Sequence, residues 1–150
     1  MWSYFFALKY IVNITKMVVN KIAVIPFKKS AMGNIVYICK PYFTEDDVFF
    51  LPNTASSGDE SMLRVEAENV LEEFGFKSSL QKQTTIDLGI LIYKKIAFKG
   101  FAILVEDEQD TKKIPLYVEK SAVVKTNEAV EKCTSPFKEF LLRFKNWTVL

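Results

Sequence analysis

LPNTASSGDESMLRVEAENVLEEFGF, residues Leu51 to Phe76, carries the strongest periodic signal in the chain. Leu63, Ala67, Val70, Leu71 and Phe74 recur at the spacing of one helical face, which predicts an amphipathic helix over Glu60 to Phe74. Asp59, Glu60 and Ser61 supply a cap and negative charge at its N-terminus, where the helix dipole favours both. Gly75 stands where a C-terminal cap belongs. With Glu68 at the origin of a helical projection, Glu72 falls at about 40°, Asn69 at about 100°, Glu73 at about 140° and Glu66 at about 160°. Carboxylates and one amide therefore share a broad arc opposite much of the apolar stripe. Arg64 lies four residues from Glu60 and from Glu68 and can neutralise both, whereas Glu72 and Glu73 have no such helical cation. Adjacent carboxylates of this kind suit a hard divalent ion such as Mg²⁺. A Glu-rich face is also what an ordinary solvated helix surface looks like.

The flanking sequence predicts strands. Lys21 to Pro26 and Asn34 to Lys40 are short β-branched runs joined by a turn over Lys29 to Gly33. Val48 to Leu51 reads as a third strand ended by Pro52, and Asn53 to Asp59 as a polar loop. Beyond the helix, strand-like runs cover Thr85 to Tyr93, Ile96 to Glu106 and Ile114 to Val118. Thr126 is placed to cap a helix ending at Cys133, and Ser135-Pro136 to open another whose buried stripe is Phe137, Phe140, Leu141 and Phe144. This order predicts an α/β (α+β) fold, a mixed sheet sandwiched between helices.

Composition narrows the chemistry. The chain has 150 residues, nearly half of them apolar, with 13 Phe and a net charge of +2, as expected of one globular domain without strong general affinity for polyanions. It has no histidine, which removes Ser-His-Asp and Cys-His nucleophilic mechanisms and His-ligated zinc. Cys39 and Cys133 form no C-x-x-C pair and read as buried thiols. Residues 1–17 read as an apolar N-terminal extension and 18–150 as the domain. Lys9, Asn13 and Lys16 interrupt that extension, so no run reaches the ~18 residues of a spanning helix, and an amphipathic helix is expected. An intracellular, cytoplasmic protein without a transmembrane segment is the expectation.

Leu51 to Phe76 resembles the Nudix box with its preceding Leu-Pro. The box runs Gly, five residues, Glu, seven residues, Arg-Glu-aliphatic, one residue, Glu-Glu, one residue, Gly-aliphatic. Glu60, Val70, Glu72, Glu73, Gly75 and Phe76 fall in register, Phe76 being aromatic where an aliphatic is usual. Thr54 stands in place of the glycine, Glu68 of the arginine, and Asn69 of the first glutamate of the metal cluster. The resemblance implies a Nudix-type fold, with Mg²⁺ at Glu72, Glu73, Asn69 and Glu68, and a catalytic contribution from Glu72, Glu73 and Glu60. It also implies a phosphate site near Thr54; Arg64 and Lys94 are candidates for phosphate or nucleotide contacts, Lys94 also reading as part of a solvated hairpin turn. Asn69 offers an amide oxygen without charge, which weakens a Mg²⁺ site. Lys95 and Lys99 are further candidates for phosphate contacts, and Tyr93, Phe98 and Phe101 for base stacking.

Two functions follow from this degenerate box. One is a nucleotide-binding or protein- or ribonucleoprotein-interaction module, a pseudoenzyme with weak or no hydrolysis. The alternative is an active Mg²⁺-dependent pyrophosphohydrolase cleaving a nucleoside diphosphate linked to another moiety, with Glu68 supplying the charge that Asn69 lacks.

Overall fold

The computed structural model describes residues 18–42, 48–77, 84–106 and 108–149. The amphipathic extension expected over residues 1–17 lies outside them. Among the described residues, six strands form one mixed sheet: β1 (Lys21–Ser30), β2 (Gly33–Pro41), β3 (Asn53–Ala55), β4 (Thr85–Tyr93), β5 (Ile96–Leu104) and β6 (Val118–Lys125). The main order is β4-β5-β1-β2-β6. β1 and β5 run parallel, while the β1–β2, β2–β6 and β4–β5 pairs are antiparallel.

β1 is the hub because its two halves take different partners along one edge. Lys21 to Ala23 pair with β3, and Phe27 to Ser30 pair with β2. Pro26, which has no N–H to give a ladder, falls between these two stretches. The strand is buried on both faces: Ala23, Ile25 and Phe27 enter one core, and Ile22 and Val24 the other. A continuous apolar run is what such a central strand requires.

The second face of the sheet is covered by α1 (Leu63–Glu73), whose Leu63, Ala67, Val70 and Leu71 are buried against Val24, Tyr37, Phe101 and Ile103. The first face takes α2 (Thr126–Lys132) and α3 (Phe137–Val149), with Ala129, Phe140, Leu141 and Phe144 buried. Phe144 meets Phe27 at a ring-centroid distance of 4.9 Å. Gly100 of β5 is where the Phe140 ring packs on the sheet, and a Cβ there would collide with it. The helix–sheet–helix sandwich expected from sequence is the one observed.

Four local expectations are corrected. Val48 to Leu51 is not a strand: Phe50 bridges Cys39 and Phe49 bridges Cys133, each as an isolated pair. Successive extended residues point opposite ways, so these two phenylalanines stitch β2 to the end of α2 instead of extending one ladder. Asn53 to Ala55, read as loop, is recruited as β3 by the free half of β1. The strand placed at Ile114 to Val118 lies instead at Val118 to Lys125, where pairing with β2 holds a segment of weak intrinsic pattern. Thr126 does not cap α2; Lys125 holds that position, and the Thr126 hydroxyl donates to the Asn34 carbonyl.

Candidate functional site

The Leu51–Phe76 segment enters its helix in two steps. Glu60–Met62 form a 3-10 turn, and the α-helix proper begins at Leu63. The Asp59 carboxylate accepts from the Ser61 N–H at 3.0 Å and the Ser61 hydroxyl at 2.7 Å, which satisfies a donor that the helix start leaves free. At the other end Gly75 has φ +87°, and a Cβ there would meet the Asp110 backbone. The Asp110 N–H donates to the Gly75 carbonyl at 2.7 Å, and Gln109 Nε2 to the Phe74 carbonyl at 2.7 Å. The glycine of the box is thus required both by backbone conformation and by the close approach of a second chain segment.

Glu66 has a task the pattern did not reveal. Its carboxylate accepts from the Ser56 hydroxyl at 3.2 Å, the Ser57 N–H at 3.0 Å and the Ser57 hydroxyl at 2.9 Å. It pins the loop before the helix onto the helix itself. Thr54, the residue in place of the box glycine, is an extended residue of β3 opposite Ile22. An extended backbone suits any side chain, so a threonine is accommodated there without strain.

An open groove of about 500 Å³ lies between the start of α1 and the β4–β5 hairpin, lined in part by Glu60, Arg64, Thr85, Asp87, Lys99 and Phe101. The Lys99 ammonium contacts both oxygens of Asp87 at 2.7 Å, and the Gly89 N–H donates to the same carboxylate at 2.8 Å. Partial burial works against ionisation of Asp87, but the Lys99 and Gly89 hydrogen bonds, with the charges of Lys99 and Arg64, hold it below its ordinary value. The Lys99 ammonium also lies 5.4 Å from the centre of the Phe101 ring. The groove thus gathers two cations and two carboxylates beside the buried Phe101 ring.

Of the residues singled out from sequence, Glu60, Arg64, Lys99 and Phe101 come together in this groove. Glu72, Glu73 and Asn69 are solvent-exposed and Glu68 half-buried along the rest of α1. Glu73 faces another neighbourhood, since burial, then Cys39, then Glu73 raise the Tyr117 phenol. Lys94 sits at the tip of the β4–β5 hairpin with φ 49°, its ammonium 5.2 Å from the Tyr93 ring centre. Nothing in the sequence pattern marks Thr85 and Asp87 as site residues. The bulge between Asp87 and Gly89, which sets Asp87 beside Lys99, left only Gly89 as a sequence signal.

This arrangement of strands and helices recurs in solved structures. The NUDIX domain of Shewanella oneidensis NrtR, complexed with ADP ribose, superposes with a TM-score of 0.64 at 8% identity, over 88% of this chain and 89% of that one. A NUDIX hydrolase from Nitrosomonas europaea gives a TM-score of 0.58 at 13% identity, over 85% and 89%. The chain has the Nudix fold. The C-terminal domain of mouse MUTYH, solved in complex with human PCNA, matches with a TM-score of 0.61 at 12% identity, over 85% and 88%. The sequence matches no family model and, at a significant level, no curated protein.

The divalent ion that the Nudix resemblance implies would sit at Glu68, Asn69, Glu72 and Glu73. The donors there are one neutral amide, two exposed carboxylates and the half-buried Glu68, and the nearby Glu66 is committed to Ser56 and Ser57. Among the described residues, no three acidic, thiol or imidazole side chains gather to hold a metal. This donor set does not fit a preformed carboxylate cage for the ion. No helix among the described residues is long and apolar enough to cross a membrane.

Proposed function

We propose that this chain is a nucleotide-binding module of Nudix fold with weak or no hydrolysis, acting inside the cell on a nucleoside-diphosphate derivative. The observation that carries the reading is the charged groove, lined by Arg64 from α1 and by Lys99 and Phe101 from β5. A diphosphate is recognised by fixed cations, and Arg64 can bind two of its oxygens at once. Phe101 and the apolar wall at Val19 and Ile90 suit the nucleoside part. The fold it shares with the NrtR domain solved with ADP ribose supports this ligand class. The same fold in the MUTYH domain bound to PCNA supports a protein surface as a further partner.

Weak hydrolysis follows from the donors. Asn69 contributes no charge, and Glu68, Glu72 and Glu73 are not gathered into a metal cluster, so Mg²⁺ would be held only together with oxygens supplied by the ligand. The test titrates ADP ribose into the native chain and Arg64→Ala by calorimetry, with and without Mg²⁺. Nucleotide-monophosphate release is followed in parallel for the native chain, Glu72→Gln and Glu73→Gln. Binding lost in Arg64→Ala, with negligible release, is the expected result. Turnover that vanishes in both glutamine variants would make the chain an active pyrophosphohydrolase.

A further inference from the structure

Gly89 and Gly100 face each other across the β4–β5 ladder, and each receives a side chain of α3. The Phe140 ring fills the space a Cβ would need at Gly100, and Arg143 Nη1 lies 3.1 Å from where one would stand at Gly89. Residues three apart share a helix face, so one turn of α3 seats both side chains on this glycine pair, the guanidinium carbon 6.0 Å from the Phe140 ring centre. From that seat Arg143 closes the β4 edge. Its Nη1 donates to the Leu88 carbonyl at 2.8 Å and to the Ile90 carbonyl at 3.2 Å, spanning Gly89.

These two carbonyls flank a bulge. Asp87 is opposite Phe101 and Gly89 opposite Gly100, which leaves Leu88 as an extra residue. Ile86 and Leu88 enter the core beneath α2 and α3, and past the bulge Leu91 and Tyr93 pack there, one position out of the earlier alternation. Asp87 and Ile90 therefore both line the groove on the α1 side. Gly89 takes φ +80° at this point, and its N–H turns back to donate to the Asp87 carboxylate at 2.8 Å. We infer that Arg143 is a positioning residue for the groove: by holding the carbonyls on either side of Gly89 it maintains the bulge that keeps the Asp87 carboxylate on Lys99. It belongs to α3, on the face of the sheet opposite α1, so it acts through the bulge and not by touching a ligand.

What the bulge supplies to the groove is preorganisation. Both oxygens of Asp87 hold the Lys99 ammonium, a cation on a flexible stem that a ligand would otherwise have to order. Ordering one such side chain is worth about twofold to tenfold in affinity. The effect on a diphosphate ligand rests on the function proposed above; the placement of Asp87 does not.

The test follows the Asp87 carboxyl by carbon-13 NMR titration of the full chain, without ligand, in the native protein, Arg143→Met, Gly89→Ala and the two combined. Arg143→Met keeps an unbranched stem over Phe140 and removes the donors. It should retain native circular dichroism while the Asp87 midpoint rises towards the ordinary 3.8, because the carboxylate loses partners that favour its charged form. Gly89→Ala disturbs the same bulge through its left-handed backbone, so the combined variant should shift Asp87 no further than the larger single change. The lost charge of Arg143 acting by itself would instead add to the Gly89→Ala shift. If Arg143→Met does not fold, Arg143→Lys takes its place in the cycle, keeping the charge on a shorter reach. Calorimetric titration with ADP ribose should show affinity falling about twofold to tenfold in Arg143→Met. An unmoved Asp87 midpoint, shifts that simply add, or native affinity for ADP ribose in the folded variant would each overturn the positioning role. A native chain that binds no ADP ribose would remove the ligand assigned to the groove, and the Asp87 titration would still decide the role of Arg143.

Discussion

Glu66 reaches back nine residues along the chain to hold Ser57, taking both its backbone N–H and its hydroxyl. One side chain thereby fixes the loop that leads into α1, and with it the position of Glu60 at the groove. Glu66→Ala should lower stability by about 1–2 kcal/mol, the worth of charge-assisted hydrogen bonds at a partly exposed site. Glu66→Gln should recover part of it, because an amide oxygen can still accept from Ser57. Urea denaturation of the three proteins measures this, and equal midpoints for all three would disprove the role.

Acid should loosen the groove through Asp87. Its folded-state value is depressed below the ordinary 3.8, so its contribution to stability is complete above that value and is lost as pH falls through the lower, folded one. Thermal melts from pH 6 downward should show a native acid limb that is shallower in Asp87→Asn. Parallel limbs in the two proteins would remove the Asp87–Lys99 pair from this account.

Gly75 should resist substitution more than its exposed neighbours on α1. Gly75→Ala meets both a left-handed backbone and the Asp110 main chain, neither of which can yield cheaply. A loss of about 2 kcal/mol or more is expected, visible as a shift of the denaturant midpoint. A loss below about 0.5 kcal/mol, the scale of ordinary surface changes, would contradict the packing of residues 109–110 against the helix end.

Cys39 and Cys133 should be inert in the folded chain. Burial pushes both thiols up to about 12, with the neighbouring Cys133 adding to the effect at Cys39. The thiolate is the reactive form, so iodoacetamide at mildly alkaline pH should label neither until denaturant is added. Rapid labelling of a folded sample at either position would show that the core around Phe49 opens readily.

Local patterns were legible where their cause is local. The stripe from Leu63 to Phe74, the Asp59 cap, Gly75, and the apolar runs of β1, β4 and β5 each follow from the geometry of a single segment, whether a helical turn, a cap or a pleat. β3 and β6 are not legible in the sequence because three residues, or a run as mixed as VEKSAVVK, have no preference strong enough to declare themselves. The two became strands because β1 and β2 had unpaired backbone edges to offer.

The sequence by itself determined the layered fold and the buried face of α1, since helical and strand periodicities depend only on neighbours along the chain, and the box residues were legible through their resemblance to the Nudix box. Tertiary structure alone decided which of those residues share a site. Asp87 meets Lys99 through a bulge, Glu66 turns from the acidic arc to Ser57, and Arg143 closes the β4 edge from 55 residues beyond Leu88. Each of these is a matter of register between segments distant in sequence, and a one-residue slip would point the same side chains the other way.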